Sequence, residues 1–256
     1  MALGIRKRTI TLLATGFIIA LTLVISLALL RTRNRTVIQV NIRQNKEIIH
    51  LSTFAEPPQF AIWLEDPETG ECKQVFVTHR AAVGDWEGKS EVPVALPLWF
   101  DLFKVNGKSN GPASGIENEV LAITGATPKD DYFSVRAEVK PGSRWICWIE
   151  MNLAGDYNTA FPEYNPLTHA YDEFACGQPA LLYRADILAR EGFVIIPQLT
   201  GQSLWTNGLT SVDEVSEGVG SALYVFDSLS ISVAKPKPKM IKKKKNLAAM
   251  PTTVTK

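Results

Sequence analysis

The chain has 256 residues, 46% of them hydrophobic and 21% charged, with a formal net charge of +1. That near-neutral sum excludes a chain that is basic or acidic throughout, yet it hides a strong segregation. Residues 1–35 hold six basic side chains and no acid, residues 235–256 hold eight lysines and no acid, and between them 13 basic residues face 26 acidic ones.

A basic start, 1–9, carries Arg6, Lys7 and Arg8. The run "ITLLATGFIIALTLVISLALL", 10–30, then has no charge. As a helix rising about 1.5 Å per residue it spans about 30 Å, the thickness of a hydrocarbon core. It exceeds the apolar region of about 7–15 residues usual in a signal peptide. The expectation is an uncleaved transmembrane anchor, with a cleaved signal or a buried core helix as the alternatives. Arg31, Arg33 and Arg35 balance the basic residues ahead of the run, so the positive-inside rule barely favours an orientation. Residues 31–36 read as a juxtamembrane linker.

From residue 37 the period becomes two. "VIQVNIR" puts Ile38, Val40 and Ile42 on one face; "FSVRAEVK" does so with Phe133, Val135, Ala137 and Val139, and "LSISVA" with Leu229, Ile231 and Val233. Strict alternation marks a strand with one face on a core and the other in water. "FAIWLED" and "KQVFVTH" read as strands joined by a turn at Pro67 and Gly70. "SRWICWIEMNL", "PALLYRADI" and "SALYVFDS" bring the number to eight or nine. Helical signals are few: "LPLWFDLFKV", 96–105, is a short helix or an amphipathic loop, and Ser211 followed by Glu214 has capping spacing for a single turn. The fold class is all-β, an antiparallel β-sandwich of immunoglobulin/fibronectin-like type over 37–234, preceded by the N-terminal helix.

Two stretches break the rhythm. The connection 156–179 is long and aperiodic, which in a compact domain marks a functional or mobile loop. The tail 235–256 alternates Lys with Pro before a lysine run and is expected to be disordered. Its charge suits an anionic surface or polymer. It has no aromatic side chain to stack on bases, which argues against nucleic acid. Cys72, Cys147 and Cys176 allow at most one internal disulfide, and burial as small apolar residues is the simpler reading.

Several segments in order, "FAIWLEDPETGECKQVFVTH", "LPLWF", "ITGATPK", "WICWIEMNLAGDYN" and "GQPALLYRADI", resemble the predicted periplasmic proteins grouped as domain-of-unknown-function family twenty-two seventy-one. The matching positions are Ile62, Trp63, Glu65 and Asp66, then Trp99, Thr124 to Thr127, and Glu150, Asn152, Asp156 and Asn158. The likeness runs over about residues 55–233. It implies a small β-sandwich outside the cytoplasm and no particular activity.

The segment Thr124, Gly125, Ala126, Thr127 also resembles the S/T-G-A-T pattern of extracytoplasmic proteins whose last threonine carries flavin mononucleotide through a phosphoester. A Gly-Ala turn admits close backbone approach and turns N–H groups toward a phosphate. That resemblance would make Thr127 the attachment point, although Leu121 stands where the pattern has an acid and Pro128 follows directly. The plainer reading is a turn that leads the chain into the strand 133–139.

Other chemistry is thinner. His50, His79 and His169 are widely spread and fit no metal-ligand spacing. Asp156, Asn158, Glu163, Asp172 and Glu173 are oxygen-rich, but the spacing is not that of an EF-hand and they read as solvated loop carboxylates. Glu65 and Asp66 read as turn formers. The tryptophans read mainly as core. The expected function is a membrane-anchored, extracytoplasmic binding or accessory module with no catalytic or metal residues, the flavin carrier being the alternative.

Overall fold

The computed structural model describes residues 15–26, 35–83, 95–105, 124–125, 128, 130–206 and 208–235. Two compact units divide the chain, one comprising residues 1–34 and 236–256, the other Arg35–Lys235. Of the first unit, residues 15–26 are described, and they form a helix, α1, with exposed side chains. No helix among the described residues is long and apolar enough to cross a membrane. Both ends of the apolar run 10–30, and the lysine-rich tail from 236 onward, lie outside the described residues.

The second unit is built from β-strands. Strand β1, Thr36–Gln44, lies between β5, Tyr132–Val139, and β13, Phe226–Ala234, and pairs antiparallel with both. The short β10, Val194–Ile195, adds an edge to β13. The second sheet has the order β12, β11, β9, β6, β2, β3, β4. These are Leu209–Asp213, Gln198–Thr206, Ala180–Leu188, Arg144–Asn152, Gln59–Glu65, Cys72–Thr78 and Thr124–Gly125. Every pair in both sheets is antiparallel except β3 with β4, which is parallel. A small hairpin, β7 Tyr164–Asn165 and β8 Ala170–Tyr171, stands apart from both sheets, and two short helices, α2 Lys46–Leu51 and α3 His79–Val83, follow β1 and β3.

The core lies between the sheets. Ile38, Val40, Ile42, Ala137, Val139, Ile231 and Val233 come from the smaller sheet. Phe60, Ile62, Leu64, Ile149, Met151 and Leu181 meet them from the larger. Each large side chain so buried contributes about 1.5–3 kcal/mol. Phe60 and Phe133 bridge the layers edge-on, ring centres 5.2 Å apart.

The alternating strands sit as their pattern dictates, but three segments differ from expectation. Ser211 and Glu214 cap no helical turn: Leu209–Asp213 is strand β12, held by antiparallel pairing with Gln202–Thr206. Of "SALYVFDS", the first part, Ser221–Tyr224, is a turn of 3₁₀ helix, and the strand begins at Phe226. Finally, β2 is buried on both faces apart from its last residue. The larger sheet is therefore dry on its outer side in the middle, because another layer covers it.

Candidate functional site

That covering layer is α4, Pro97–Phe100, continued as a π-helical turn over Asp101–Val105. It packs with Ala61, Trp63, Val77 and Leu182 in a second apolar cluster. Pro97 at the helix start fits because its missing N–H would find no helical partner there. Trp99 is buried, and its Nε1 donates to Gln74 Oε1 at 2.8 Å. Phe103 lies between Trp63 and Trp99, with ring centres 6.2 and 6.3 Å away.

Below the helix is Glu150, wholly buried two residues before the end of β6. Its cross-strand neighbours are Ala61 on β2 and Leu182 on β9. The backbone N–H groups of Leu98 and Trp99 donate to its carboxylate at 2.9 and 2.7 Å, and the Ser203 hydroxyl of β11 donates as well. The two amides are among those that a helix start leaves without an internal partner. Burial pushes the Glu150 acid up to about 7, against the opposing pull of those three donors. The arrangement is a clasp, with one carboxylate fastening α4 to the sheet.

A second buried carboxylate organises the loop expected to be solvated. Asp156 is buried, not exposed as its sequence context implies. It accepts from Ser221 Oγ at 2.6 Å and from Gln178 Nε2 at 2.8 Å. Burial again raises its acid above the ordinary range. Gln178 Oε1 in turn accepts from the Gly220 amide at 2.6 Å. Asn158 Oδ1 accepts from the amides of Ala160 and Phe161, and Asp172 from those of Phe174 and Gly177. The oxygens of Asp156, Asn158 and Asp172 are thus spent on the loop's own backbone, on Gln178 and on the neighbouring 3₁₀ turn, while Glu163 and Glu173 are exposed. Among the described residues, no group of three or more His, Cys, Asp or Glu is placed to hold a metal ion.

Where α4 ends its cover, the outer face opens. Trp148 stacks on Trp63, with ring centres 6.3 Å apart, and Arg184 stands 5.7 Å from its ring centre. Trp148 Nε1 donates to Glu65 Oε2 at 2.6 Å, and Arg184 Nη2 donates to Asp186 Oδ1 at 2.9 Å. Beyond this row lies a groove of about 430 Å³ between Pro67, Arg144, Ile146, Asp186 and Leu188. Glu65, Ile146 and Asp186 are cross-strand partners, so they stand side by side on one face. The groove sets charges of both signs, Arg144 and Asp186, on strands of the larger sheet.

Of the sequence-derived site residues, Thr124 and Gly125 form the edge strand β4, paired with Val77 and Thr78. Ala126 and Thr127 lie outside the described residues. The carbonyls of Pro128 and Asp130 accept from Gln44 Nε2 at 3.1 and 3.3 Å, which ties the exit of the segment to the end of β1. Asp66 is a turn former as read: its Oδ1 accepts from the Glu68 amide. His169 meets the Tyr164 hydroxyl at 3.0 Å on the exposed hairpin. Cys147 and Cys176 are free thiols and Cys72 is buried. Cys147 sits in the inter-sheet core and Cys72 in the outer cluster, on opposite faces of the sheet.

Sequence reasoning missed Glu150 as a clasp, Gln178 and Ser203 entirely, and strand β11 with them. The available signal was an acid in the middle of the apolar segment "WICWIEMNL", where an unpaired charge is costly enough to demand donors. Compared with known proteins, the chain matches no family model, no curated protein and no solved structure.

Proposed function

We propose that the chain is a membrane-anchored, extracytoplasmic module of immunoglobulin/fibronectin-like type that binds a partner in an envelope assembly. Its likeness to family twenty-two seventy-one and the apolar run 10–30 support that placement. The observation that carries the binding role is the groove on the outer face of the larger sheet. Its charged side chains, Arg144 and Asp186, stand on strands of a continuous sheet, so little ordering remains to be done when a partner arrives. A photocrosslinking side chain at position 146, in intact cells, is expected to give an adduct that Asp186→Arg abolishes. Equal adducts with and without that change, or from a control at position 211 on β12, would refute the groove. The compartment is tested separately. External protease should destroy the domain once the outer layers are permeabilised, and protection until the inner membrane is lysed reverses the placement.

A second reading, a redox carrier with flavin mononucleotide on Thr127, draws on one observation: Thr124–Gly125, two positions ahead of it, is held as a strand against β3. Absorbance of the purified protein near about 450 nm, lost in Thr127→Ala, would favour it over the binding module; a colourless protein would dismiss it.

A further inference from the structure

The strand register shows that one end of the sandwich gathers both chain exits. Val37, next to the start of β1, pairs with Ala234, the end of β13, and Thr36 pairs with Val139, the end of β5. The turn after β5 meets the end of β9, since the Gly142 amide donates to Ala189 O and the Ala189 amide to Ser143 O. From there the chain crosses to the other sheet through 189–197, and this crossover is fixed to β13. The Gly192 amide donates to Val233 O, the Val233 amide to Phe193 O, and Val194 pairs with Ser232.

The crossover is unusually apolar for an exposed segment. Val194 is 69% and Ile196 68% exposed, and Phe193 next to them is half exposed. A cluster of this kind on a soluble surface marks something that covers it. Basic side chains surround it, but Arg35 is paired with Glu138 and Lys235 with Glu191.

The length of chain ahead of β1 selects the partner. Five residues separate Leu30, the end of the apolar run, from Thr36. Fully extended at about 3.4 Å per residue, that link reaches at most about 20 Å. We propose that the crossover edge of Phe193, Val194 and Ile196 seats in the interfacial region of the bilayer, an inference that rests on the anchored reading above. The occupant is the lipid surface itself. Phe at the headgroup boundary with aliphatic neighbours is the side-chain set that such a region accepts. The tether supplies the high local concentration that lets a small patch suffice.

The opposite end of the sandwich supplies an internal control. Helix α2, Lys46–Leu51, follows the end of β1, and its Leu51 is 79% exposed. Strand β1, with nine residues, sets the two ends about 30 Å apart. The experiment uses the full chain, reconstituted in vesicles of mixed phosphatidylcholine and phosphatidylglycerol. An environment-sensitive fluorophore is placed by Val194→Cys or Leu51→Cys in a Cys176→Ala background, since Cys72 and Cys147 are buried. Flotation comes first: a chain that does not float with the vesicles refutes the anchor and this inference with it. In a floating chain, the probe at 194 is expected to be blue-shifted and quenched severalfold more by headgroup-nitroxide lipid than the probe at 51. Equal, water-like signals at the two positions would overturn the seated face while leaving the anchor standing. Quenching at 194 that disappears without phosphatidylglycerol would also overturn it, because charge rather than apolar burial would then hold the domain down.

Discussion

Replacing Glu150 with Gln tests whether the buried acid titrates in the folded state. Its ordinary value is 4.5 and burial pushes it up to about 7. Between those values the folded state binds more protons than the unfolded state, so stability falls as pH rises. The extra stability is complete below pH 4.5 and gone once pH has passed 7. The 2.5 pH units between them, at about 1.36 kcal/mol each, amount to about 3 kcal/mol. The glutamine side chain of Glu150→Gln cannot titrate, but its amide sets an N–H₂ where a backbone amide of Leu98 or Trp99 needs an acceptor, at a cost of about 1–3 kcal/mol. The variant is therefore less stable than wild type at pH 4.5, and the gap closes by about 3 kcal/mol on going to pH 8. Urea unfolding of segment 35–235, followed by tryptophan fluorescence across that range, measures the difference directly. Exposed titrating groups common to both proteins cancel in it. A difference that stays constant with pH would refute the reasoning and show that Leu98, Trp99 and Ser203 hold the carboxylate ionised throughout.

Two other outcomes follow from the loop network and its turns. Asp156→Ala removes the acceptor of the Ser221 hydroxyl and one acceptor of the Gln178 amide, which keeps its bond to Ser221 Oγ; a loss of about 1–2 kcal/mol is expected. Hydrogen exchange should accelerate over 158–178 and leave β1 unchanged. Gly177→Ala meets two obstacles, a φ of +67° and a Cβ only 2.6 Å from the Asp156 carbonyl oxygen. Gly192→Ala, at φ +87° with nothing within 4 Å, meets only the first. Thermal unfolding should show about 1 kcal/mol lost at 192 and clearly more at 177; equal losses would mean that the loop yields to the added methyl.

The elements legible in the sequence were those where one physical signal dominates. Alternation placed β1, β5 and β13 because each really has a wet face: Gln39 and Asn41 are only half-buried opposite Ile38, Val40 and Ile42. Strand β11 was illegible because its pairing with β9 is broken by a bulge between Leu199 and Gly201, which shifts the face that each residue presents. At β12, the capping spacing of Ser211 and Glu214 is a local preference worth about 1 kcal/mol, and five paired positions with β11 outweigh it. The same limit applies to the loop carboxylates. Asp156 and Glu163 look alike in sequence, and only the approach of Gln178 and of Ser221, twenty-two and sixty-five positions away, makes one a buried acceptor.

Glu150 shows why a site of this kind hides from pattern reading. A lone acid in an apolar strand signals either strand disruption or a partner, and the sequence does not say which donors arrive. Here they come from Leu98, Trp99 and Ser203, each about fifty residues away. The energetic logic runs from the sheet outward. An unpartnered carboxylate at this depth would cost several kcal/mol, so any covering segment that brings free amides is strongly selected over an apolar one of the same volume. A helix start brings two at once. The acid therefore fixes where α4 sits as well as that it sits, and with it the boundary where the cover stops and the Trp148–Arg184 row opens into the groove. Loss of the clasp should consequently disturb the groove's shape before it disturbs the inter-sheet core, whose side chains lie on the other face of β6.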